Sequence, residues 1–279
     1  MIAGSRGQLG LELARQLYNK GMYDVIETDI HNLDITDCKA VYEAVRKIKP
    51  YTIINCAAFT NVDACETNEE LAFQVNALGA RNLAAAAYGE NASILQVSTD
   101  YVFDGKVNVP RREHDTINPQ SCYGNSKAFG EKFVRETNPR HYIVRTAWLY
   151  GEGVNFVRTM LKLANEKDAI DVVDDQIGSP TSTVDLASCI TDLIDTEAYG
   201  TYHGTCEGAC SWYDFAKRIF EIKGINILVN RISTEELNRP AKRPKYSVLD
   251  NYMLKLVNMN SFRYWEESLE EYFKGRDIV

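Results

Sequence analysis

The segment SCYGNSKAFGE (121–131) places Tyr123 and Lys127 four residues apart at the start of a predicted helix. Positions i and i+4 share one face of a helix, so the phenol and the ammonium group should project into the same space. A phenol beside a cation can give a proton to an alkoxide as it forms, which is what hydride reduction of a ketone requires. Such a pair is common by itself, and its meaning depends on the surrounding elements.

The chemistry explains why a lysine should accompany the tyrosine. A free tyrosine has a pKa of about 10, so stabilising its anion at neutral pH takes about 4 kcal/mol from the surroundings. A nearby lysine ammonium, together with the positive nicotinamide ring of an oxidised cofactor, is the right kind of source. We therefore expect Lys127 to lower the pKa of Tyr123.

A third group comes from STDYVFDG (98–105), in which Thr99 and Asp100 stand at the end of a predicted strand. Ligands of open α/β sheets bind at the carboxyl ends of the strands. Because the tyrosine and lysine follow shortly afterwards in the chain, Thr99, Tyr123 and Lys127 can converge beside a nicotinamide. We predict these three as the catalytic set, with the Thr99 hydroxyl holding the carbonyl.

The first ten residues, MIAGSRGQLG, contain Gly4, Gly7 and Gly10 directly before a helical pattern. Such glycines let backbone amides and a helix N-terminus approach a pyrophosphate. Asp29 ends the next predicted strand, 19 residues after Gly10, where an acid can hydrogen-bond the adenosine ribose. This arrangement predicts a dinucleotide-binding site; the alternative is a glycine-rich turn that only helps a strand and a helix to pack.

The choice of cofactor stays open at the level of sequence. Arg6 stands beside the glycine loop and could neutralise a 2′-phosphate, whereas Asp29 would repel one. Both NADPH and NADH are therefore compatible with these residues.

Short β-rich runs alternate with longer helical patterns through the first half of the chain, which indicates a parallel sheet covered on both faces. Strands are predicted at 25–29, 52–58, 93–100 and 141–150. The fold class is α/β: a Rossmann-type doubly wound parallel sheet over residues 1–150 and a smaller C-terminal substrate-binding lobe. That lobe is built mainly from residues 151–279, with some segments returning to the Rossmann domain.

The first strand is shorter than a central strand should be, because only three residues precede Gly4. Either the edge of the core near the cofactor is weakened, or the recorded start lies inside the natural one.

The 279 residues are 45% hydrophobic and 25% charged, which suits one large domain or two smaller ones. The net charge of −8 argues against nucleic acid and anionic membranes as partners. No apolar run approaches the roughly 18 residues of a membrane-spanning helix. The N-terminus also lacks the apolar core of a secretory signal, so we expect a cytoplasmic protein.

Seven cysteines form an odd set without CxxC spacing, so neither a disulfide framework nor a structural zinc site is expected. Cys206 and Cys210 lie close to His203 in sequence, but three ligands on an uncertain loop do not define a metal site. We predict no metal.

Eight segments resemble, in order, the extended short-chain dehydrogenase/reductases and, within them, the dTDP-4-dehydrorhamnose reductase family. The tyrosine–lysine and glycine motifs are shared by the whole superfamily, whereas STDYVFDG together with DQIGSPT is specific to this branch. The resemblance runs from Gly4 to about residue 275. The segments are GSRGQLG, NCAAFTNVDACE, STDYVFDG, YGNSKAFGE, RTAWLYG, NFVRTML, VVDDQIGSPT and AKRPKYSVL.

The resemblance implies NAD(P)H-dependent reduction of the C4 ketone of dTDP-4-dehydro-L-rhamnose to dTDP-L-rhamnose, a donor for cell-surface polysaccharide. It implies that Tyr123 donates the proton, that Lys127 tunes it and holds the nicotinamide ribose, and that Thr99 completes the set. The implied cofactor contacts are Gly7, Gln8 and Leu9 at the pyrophosphate, Asp29, Asp34 and Ile35 at the adenosine end, and Ala58, Phe59 and Thr60 between them.

Asp100 and Trp148 match positions that touch the substrate in the family, although Trp148 could also be a core aromatic residue. The segment RPAKRPK (239–245) concentrates basic residues in an otherwise acidic chain. Guanidinium groups suit phosphate geometry, so a nucleotide diphosphate could bind here, with loop solubility as the alternative. Arg243 matches the family's A-x-R-P pattern and is the predicted substrate contact.

Three other functions remain open from the sequence. A nucleotide-sugar epimerase or dehydratase would keep the tyrosine and lysine, a non-catalytic NADP-binding regulatory subunit would need only the cofactor site, and another 4-keto sugar could be the substrate. The magnesium-binding acids of some family members cannot be mapped here, apart from Glu12. The protein could be a monomer or a homodimer.

Overall fold

The computed structural model describes residues 1–274. The strands are β1 (Ile2–Ala3), β2 (Glu27–Thr28), β3 (Thr52–Asn55), β4 (Ser93–Thr99), β5 (His141–Thr146), β6 (Leu149–Tyr150), β7 (Ala169–Val173), β8 (Ile177–Gly178), β9 (Thr181–Ser182), β10 (Gly200–His203), β11 (Cys210–Ser211) and β12 (Leu228–Ile232). The α-helices are α1 (Gln8–Lys20), α2 (Cys38–Ile48), α3 (Val62–Thr67), α4 (Glu69–Phe73), α5 (Ala80–Gly89), α6 (Cys122–Thr137), α7 (Phe156–Glu166), α8 (Thr183–Leu193), α9 (Trp212–Lys223), α10 (Thr234–Leu237), α11 (Tyr252–Leu256) and α12 (Trp265–Phe273). A π-helical turn covers Gln74–Gly79 and a 3₁₀ turn covers Asp100–Val102.

The central sheet has six parallel strands in the order β10-β5-β4-β3-β1-β2. Strand β1 lies between β2 and β3, so the chain builds the sheet outward in both directions from it. The loops after β1 and β3 therefore leave toward opposite faces, and a crevice opens between them at the carboxyl ends of the strands.

Helices cover both faces of this sheet, because neighbouring residues of each strand point to opposite sides. Ile54 and Leu95 pack with α1 and α8 on one face, while Ile53 and Ile94 pack with α2 and α5 on the other. All four strand residues are buried. The predicted doubly wound parallel sheet is therefore confirmed.

The chain from residue 149 onward contributes to the main sheet and also forms small sheets of its own. Strand β10 pairs with β5, and α8 packs on α1. The small sheets are the pairs β6–β9, β7–β12 and β8–β11. The proposed division at residue 150 stays a prediction, and residues 275–279 of the second part lie outside the described residues.

One predicted strand, 141–150, is wrong as a single element. It ends at Thr146, and the chain resumes as β6, which pairs with β9 instead of with the central sheet. Between them Trp148 has a φ of 47°, a left-handed backbone conformation that interrupts a strand. The chain changes sheets at this residue.

The part of the chain that the structure describes contains no helix of the length and apolarity needed to cross a membrane.

Gly10 brings α1 into contact with the loop that follows β1. A Cβ atom there would lie 2.3 Å from the carbonyl oxygen of Gly4 and 2.7 Å from the Cα atom of Ser5. Because both neighbours are backbone atoms, they cannot move aside without shifting the loop.

We expect Gly10→Ala to lower the free energy of unfolding by about 2 kcal/mol through this overpacking. The matched control is Gly89→Ala, at the end of α5, where an added Cβ atom meets nothing within 4 Å. That variant should be neutral or slightly more stable, because alanine favours the helix. Urea denaturation of both variants checks the pair, and equal stability of the two would contradict the packing argument.

Candidate active site

A cavity of about 540 Å³ opens at the carboxyl edge of the central sheet. A second cavity of about 270 Å³ adjoins it, and both are lined by Gly7, Cys56 and Ala58. Together they form a trough that crosses the crevice between β1 and β3, where a doubly wound sheet binds its ligand. The trough therefore presents two separately lined regions, one in each cavity.

Most of the predicted site residues line this trough. Those in the larger cavity are Gly7, Gln8, Leu9, Gly10, Ala58, Thr60, Thr99, Asp100, Tyr123, Lys127 and Trp148. Those in the smaller cavity are Gly4, Gly7, Asp29, Asp34, Ile35 and Ala58. Arg6, Phe59 and Arg243 line neither cavity.

The glycine loop leaves the first amides of α1 open toward the trough. Gly7 is the N-cap of that helix and supplies no side-chain hydrogen bond to it. Gly4 has a φ of 76°, and a Cβ atom there would lie 2.6 Å from the backbone nitrogen of Ala57. The loops after β1 and β3 thus approach each other too closely for side chains, and the resulting cradle of backbone amides fits a pyrophosphate.

At the adenosine end, Asp29 is tied to its own loop. Its Oδ2 atom accepts from the Arg6 backbone N–H at 3.1 Å and its Oδ1 atom accepts from the Ile30 N–H at 2.8 Å. The Arg6 side chain is exposed and forms no ion pair with any residue from 1 to 274. The residue that contacts the Asp29 carboxylate through its backbone thus also carries an exposed guanidinium, unpaired within the described residues, and the site is compatible with either NADH or NADPH.

Asn76 fixes the middle of the trough, although the sequence did not suggest it. This buried side chain accepts from the Phe59 N–H at 2.8 Å and donates to the Phe59 carbonyl at 3.1 Å. It also donates to the Ser126 hydroxyl at 3.0 Å, one residue before Lys127. Asn76 therefore couples the predicted cofactor loop 58–60 to the catalytic helix.

Thr99, Tyr123 and Lys127 come from two elements that meet at the larger cavity. Thr99 is the last residue of β4, and its hydroxyl donates to Asp100 Oδ1 at 2.8 Å. Tyr123 and Lys127 lie in the first two turns of α6, whose N-cap Ser121 accepts from the Gly124 N–H at 3.1 Å. The three predicted residues line one cavity.

Burial controls the protonation of these groups. It raises the pKa of Tyr123, a shift that the Thr99 hydrogen bond opposes and the charge of Asp100 increases. It lowers the pKa of Lys127 to about 8 and raises the pKa of Asp100 to about 6. Desolvation therefore outweighs any lowering of the Tyr123 pKa by Lys127 in this structure, and the tuning role of Lys127 stays a prediction. The phenol keeps its proton at neutral pH, as a proton donor must.

Trp148 and Trp212 form a stacked pair in the wall of the cavity. Their ring centroids are 3.5 Å apart and their planes differ by 6°. Gly178 makes room for the pair, because a Cβ atom there would lie 2.3 Å from Trp148 Cε2. The left-handed backbone of Trp148, which costs of order 1 kcal/mol, is thus held by packing from β8 and from the start of α9.

Arg243 is bound to an acid rather than open to the cavity. Its two terminal nitrogens donate to the two carboxylate oxygens of Asp63 at 3.1 and 2.9 Å. The Ala241 N–H donates to the same carboxylate at 3.1 Å. The guanidinium beside Asp63 holds the pKa of that carboxyl below its usual range. The loop around Arg243 also supplies Pro244 and Ser247 to the cavity wall.

No group of three or more His, Cys, Asp or Glu side chains within residues 1–274 is placed to hold a metal ion. Glu12, the one acid that could be mapped to a magnesium site, instead accepts from the side chains of Arg15 and Gln16.

Comparison with known proteins identifies the family. The family model described as RmlD substrate binding domain matches residues 1–277. A curated dTDP-4-dehydrorhamnose reductase from Aggregatibacter actinomycetemcomitans is 44% identical over 264 residues, which cover 90% of this chain and 90% of the relative. This chain belongs to the dTDP-4-dehydrorhamnose reductase family.

Two solved structures of dTDP-4-dehydrorhamnose reductases share the whole architecture. The protein from Clostridium acetobutylicum is 55% identical, with a TM-score of 0.96 over 97% of this chain and 96% of the other. The protein from Bacillus anthracis, whose crystal structure is in complex with NADP, is 45% identical, with a TM-score of 0.96 over 98% and 97%.

In this member of the dTDP-4-dehydrorhamnose reductase family, the further residues that line the cavity include Tyr101, Gln176, Trp212 and Ser247. Three of them lie inside motifs that carried the resemblance, STDYVFDG, DQIGSPT and AKRPKYSVL, so the motifs pointed to them without assigning a role. No sequence motif pointed to Trp212 as a cavity residue, because an aromatic residue at the start of a helix is ordinarily a core residue.

We expect Trp212→Phe to remove the exciton couplet that two stacked indoles produce in the circular dichroism spectrum. It should also cost about 1 kcal/mol of stability through the lost stacking. Trp265→Phe is the matched control, because Trp265 packs edge-on against Phe215 and is not part of the stack. Retention of the couplet in Trp212→Phe, or its loss in Trp265→Phe, would contradict this description.

Proposed function

We propose that this protein reduces the C4 ketone of dTDP-4-dehydro-L-rhamnose to dTDP-L-rhamnose with NADPH or NADH, as the last step in making this donor for cell-surface polysaccharide. The membership of the family and the convergence of Thr99, Tyr123 and Lys127 on one cavity support the proposal. That convergence is the observation that carries it, because the three residues have no common structural role that would bring them together.

We propose a place in the trough for each part of the cofactor. We propose that the glycine cradle and the first amides of α1 hold the pyrophosphate. The adenosine end would lie in the smaller cavity beside Asp29, Asp34 and Ile35, with Arg6 at its rim. The nicotinamide would lie beside Lys127, where Ala58 and Thr60 line the approach.

The reaction follows from the protonation states of the side chains. Reduced nicotinamide, when bound, supplies the hydride that goes to the C4 carbon. The Thr99 hydroxyl, which donates to Asp100 in this structure, would turn to donate a hydrogen bond to the carbonyl oxygen. The Tyr123 O–H transfers its proton to that oxygen as negative charge develops there. The Lys127 ammonium stabilises the phenolate left on Tyr123, which regains a proton from solvent.

Asp100 and Trp148 are the proposed contacts to the sugar. Asp100 is 2% exposed and lies at the end of β4, directly after Thr99. Its carboxylate can accept hydrogen bonds from sugar hydroxyls, and the face of Trp148 offers an apolar surface to the ring. The net charge of −8 disfavours nucleic acid and anionic membranes as partners, which supports a small-molecule substrate, and we propose that the protein acts in the cytoplasm.

The direct test is the oxidation of NADPH or NADH by the purified protein in the presence of freshly generated dTDP-4-dehydro-L-rhamnose. Rapid oxidation that depends on the sugar nucleotide would support the proposal and rank the two cofactors. Tight cofactor binding without oxidation would point to another 4-keto sugar, and after that to a regulatory subunit. Interconversion of sugars without net oxidation would indicate an epimerase.

We expect Tyr123→Phe to keep the cofactor bound and to lose about 10²–10⁴ of the turnover rate, because it removes the proton donor and little volume. Cofactor titration and steady-state turnover of the same preparation check the two halves of this expectation. A variant that retained a near-normal rate would contradict the assignment of Tyr123.

We expect Arg243→Ala to raise the Michaelis constant for the sugar nucleotide about tenfold, equivalent to about 1.4 kcal/mol, and to leave that for NADPH unchanged. The reason is that a guanidinium released from Asp63 can bind a phosphate in the same bidentate geometry. Lys242→Ala is the matched control, because Lys242 is the exposed neighbour. An unchanged Michaelis constant in Arg243→Ala would limit this residue to holding Asp63.

A further inference from the structure

Behind the catalytic residues lies a buried carboxylate, Glu131, with no assigned role. It stands one helical turn after Lys127 on α6 and is 0% exposed. Charged side chains are almost never fully buried unless other groups pair with them. The surroundings of Glu131 therefore indicate what the carboxylate does.

Glu131 joins three elements through its two oxygens. Its Oε1 atom accepts from the Ser98 hydroxyl at 2.6 Å and from Arg145 Nε at 2.9 Å. Its Oε2 atom accepts from Arg145 Nη2 at 2.8 Å. Ser98 and Arg145 are each about 3% exposed and are paired partners on β4 and β5. The network is fully hydrogen-bonded at the carboxylate, which is the condition for a buried ion pair to be tolerated.

The position of this network matters because Ser98 directly precedes Thr99. The Glu131 carboxylate thus ties the turn of α6 that follows Lys127 to the end of β4 that carries Thr99. Lys127 in turn donates to the carbonyl of Val97 at 2.7 Å, on the other side of Ser98. Two hydrogen bonds one helical turn apart, made by Lys127 and Glu131, therefore fix the position of α6 along β4.

The charge of Glu131 also acts on Lys127. Burial lowers the pKa of that ammonium group to about 8, and the nearby negative charge of Glu131 opposes the shift. The Cys56 thiol also faces Lys127 but is neutral at working pH, because burial raises its pKa to about 12. Tyr123, on the same helix, is also neutral because burial raises its pKa. Around Glu131 the cations are Arg145 and, at 3.6 Å, Arg135.

We infer that Glu131 is a positioning residue for the reduction: it holds Lys127 against the strand that carries Thr99 and keeps the Lys127 ammonium charged at the pH of the reaction. The inference rests on the proposed function, in which a charged Lys127 stabilises the Tyr123 phenolate. Glu131 itself does not line the cavity.

The test compares Glu131→Gln with Glu131→Asp and with the control Glu136→Gln, an exposed acid of the same helix paired with Lys132. The protonation of Lys127 is followed by the rate at which acetic anhydride acetylates it at different pH values, measured by mass spectrometry. The pH profile of turnover is measured on the same variants. In Glu131→Gln the midpoint of the Lys127 titration and the pH profile of turnover should each move to lower pH by about one unit, because the negative charge that opposes the loss of the Lys127 proton is removed.

Glu131→Asp keeps the negative charge, so Lys127 in this variant should titrate near the same pH as in the unaltered protein. The turnover number should fall, because the shorter side chain cannot hold α6 in the same position. The control should match the unaltered protein in both measurements. An unmoved Lys127 titration in folded Glu131→Gln would overturn the inference. Absence of turnover by the unaltered protein would contradict the proposed function instead, because the acetylation titration reads Lys127 without it.

If Glu131→Gln does not fold, because Arg145 is left buried and unpaired, Ser98→Ala tests the positioning part. This variant keeps both charges and removes one hydrogen bond. Its turnover number should fall severalfold with an unchanged Michaelis constant and an unmoved Lys127 titration. A normal turnover number in Ser98→Ala would overturn the positioning role.

Discussion

The close approach of α6 to the carboxyl ends of the central strands is the constraint on which the rest of the site depends. Two glycines make it possible: a Cβ atom on Gly124 would lie 2.3 Å from the Tyr101 carbonyl oxygen, and one on Gly130 would lie 2.3 Å from the Asn76 carbonyl oxygen. The helix therefore rests on backbone at both points. Only at this distance can its tyrosine and lysine share a cavity with the threonine at the end of β4.

Burial sets the electrostatics of the site once the helix is in place. The tyrosine is kept neutral and the lysine is brought near its titration point by the same loss of solvent. A reductase needs this combination, because its phenol must hold a proton to give and its ammonium group must still carry charge when the phenolate appears. Glu131, which Ser98 and Arg145 hold in place, puts a negative charge one helical turn from that ammonium group without opening the site to water.

The sequence allowed the doubly wound sheet, the glycine loop and the meeting of Thr99, Tyr123 and Lys127 in one cavity to be predicted, because each depends on local spacing. The glycine pattern, the residue ending a strand and the i, i+4 pair are all visible within short segments. The Asp63–Arg243 pair spans 180 residues, and the Trp148–Trp212 stack joins two distant elements, so neither has a local signal. The break of the strand predicted at 141–150 depends on the left-handed Trp148, a conformation fixed by tertiary packing.

The most direct test of the central claim follows the hydride itself. The protein would be incubated with dTDP-4-dehydro-L-rhamnose and a reduced nicotinamide cofactor that carries deuterium at the transferable position, and the product would be examined by NMR. The account predicts deuterium at C4 of the sugar, formed in equal amount to the oxidised cofactor. Bound cofactor with no deuterium at C4, or sugar conversion that leaves the deuterium on the cofactor, would contradict it.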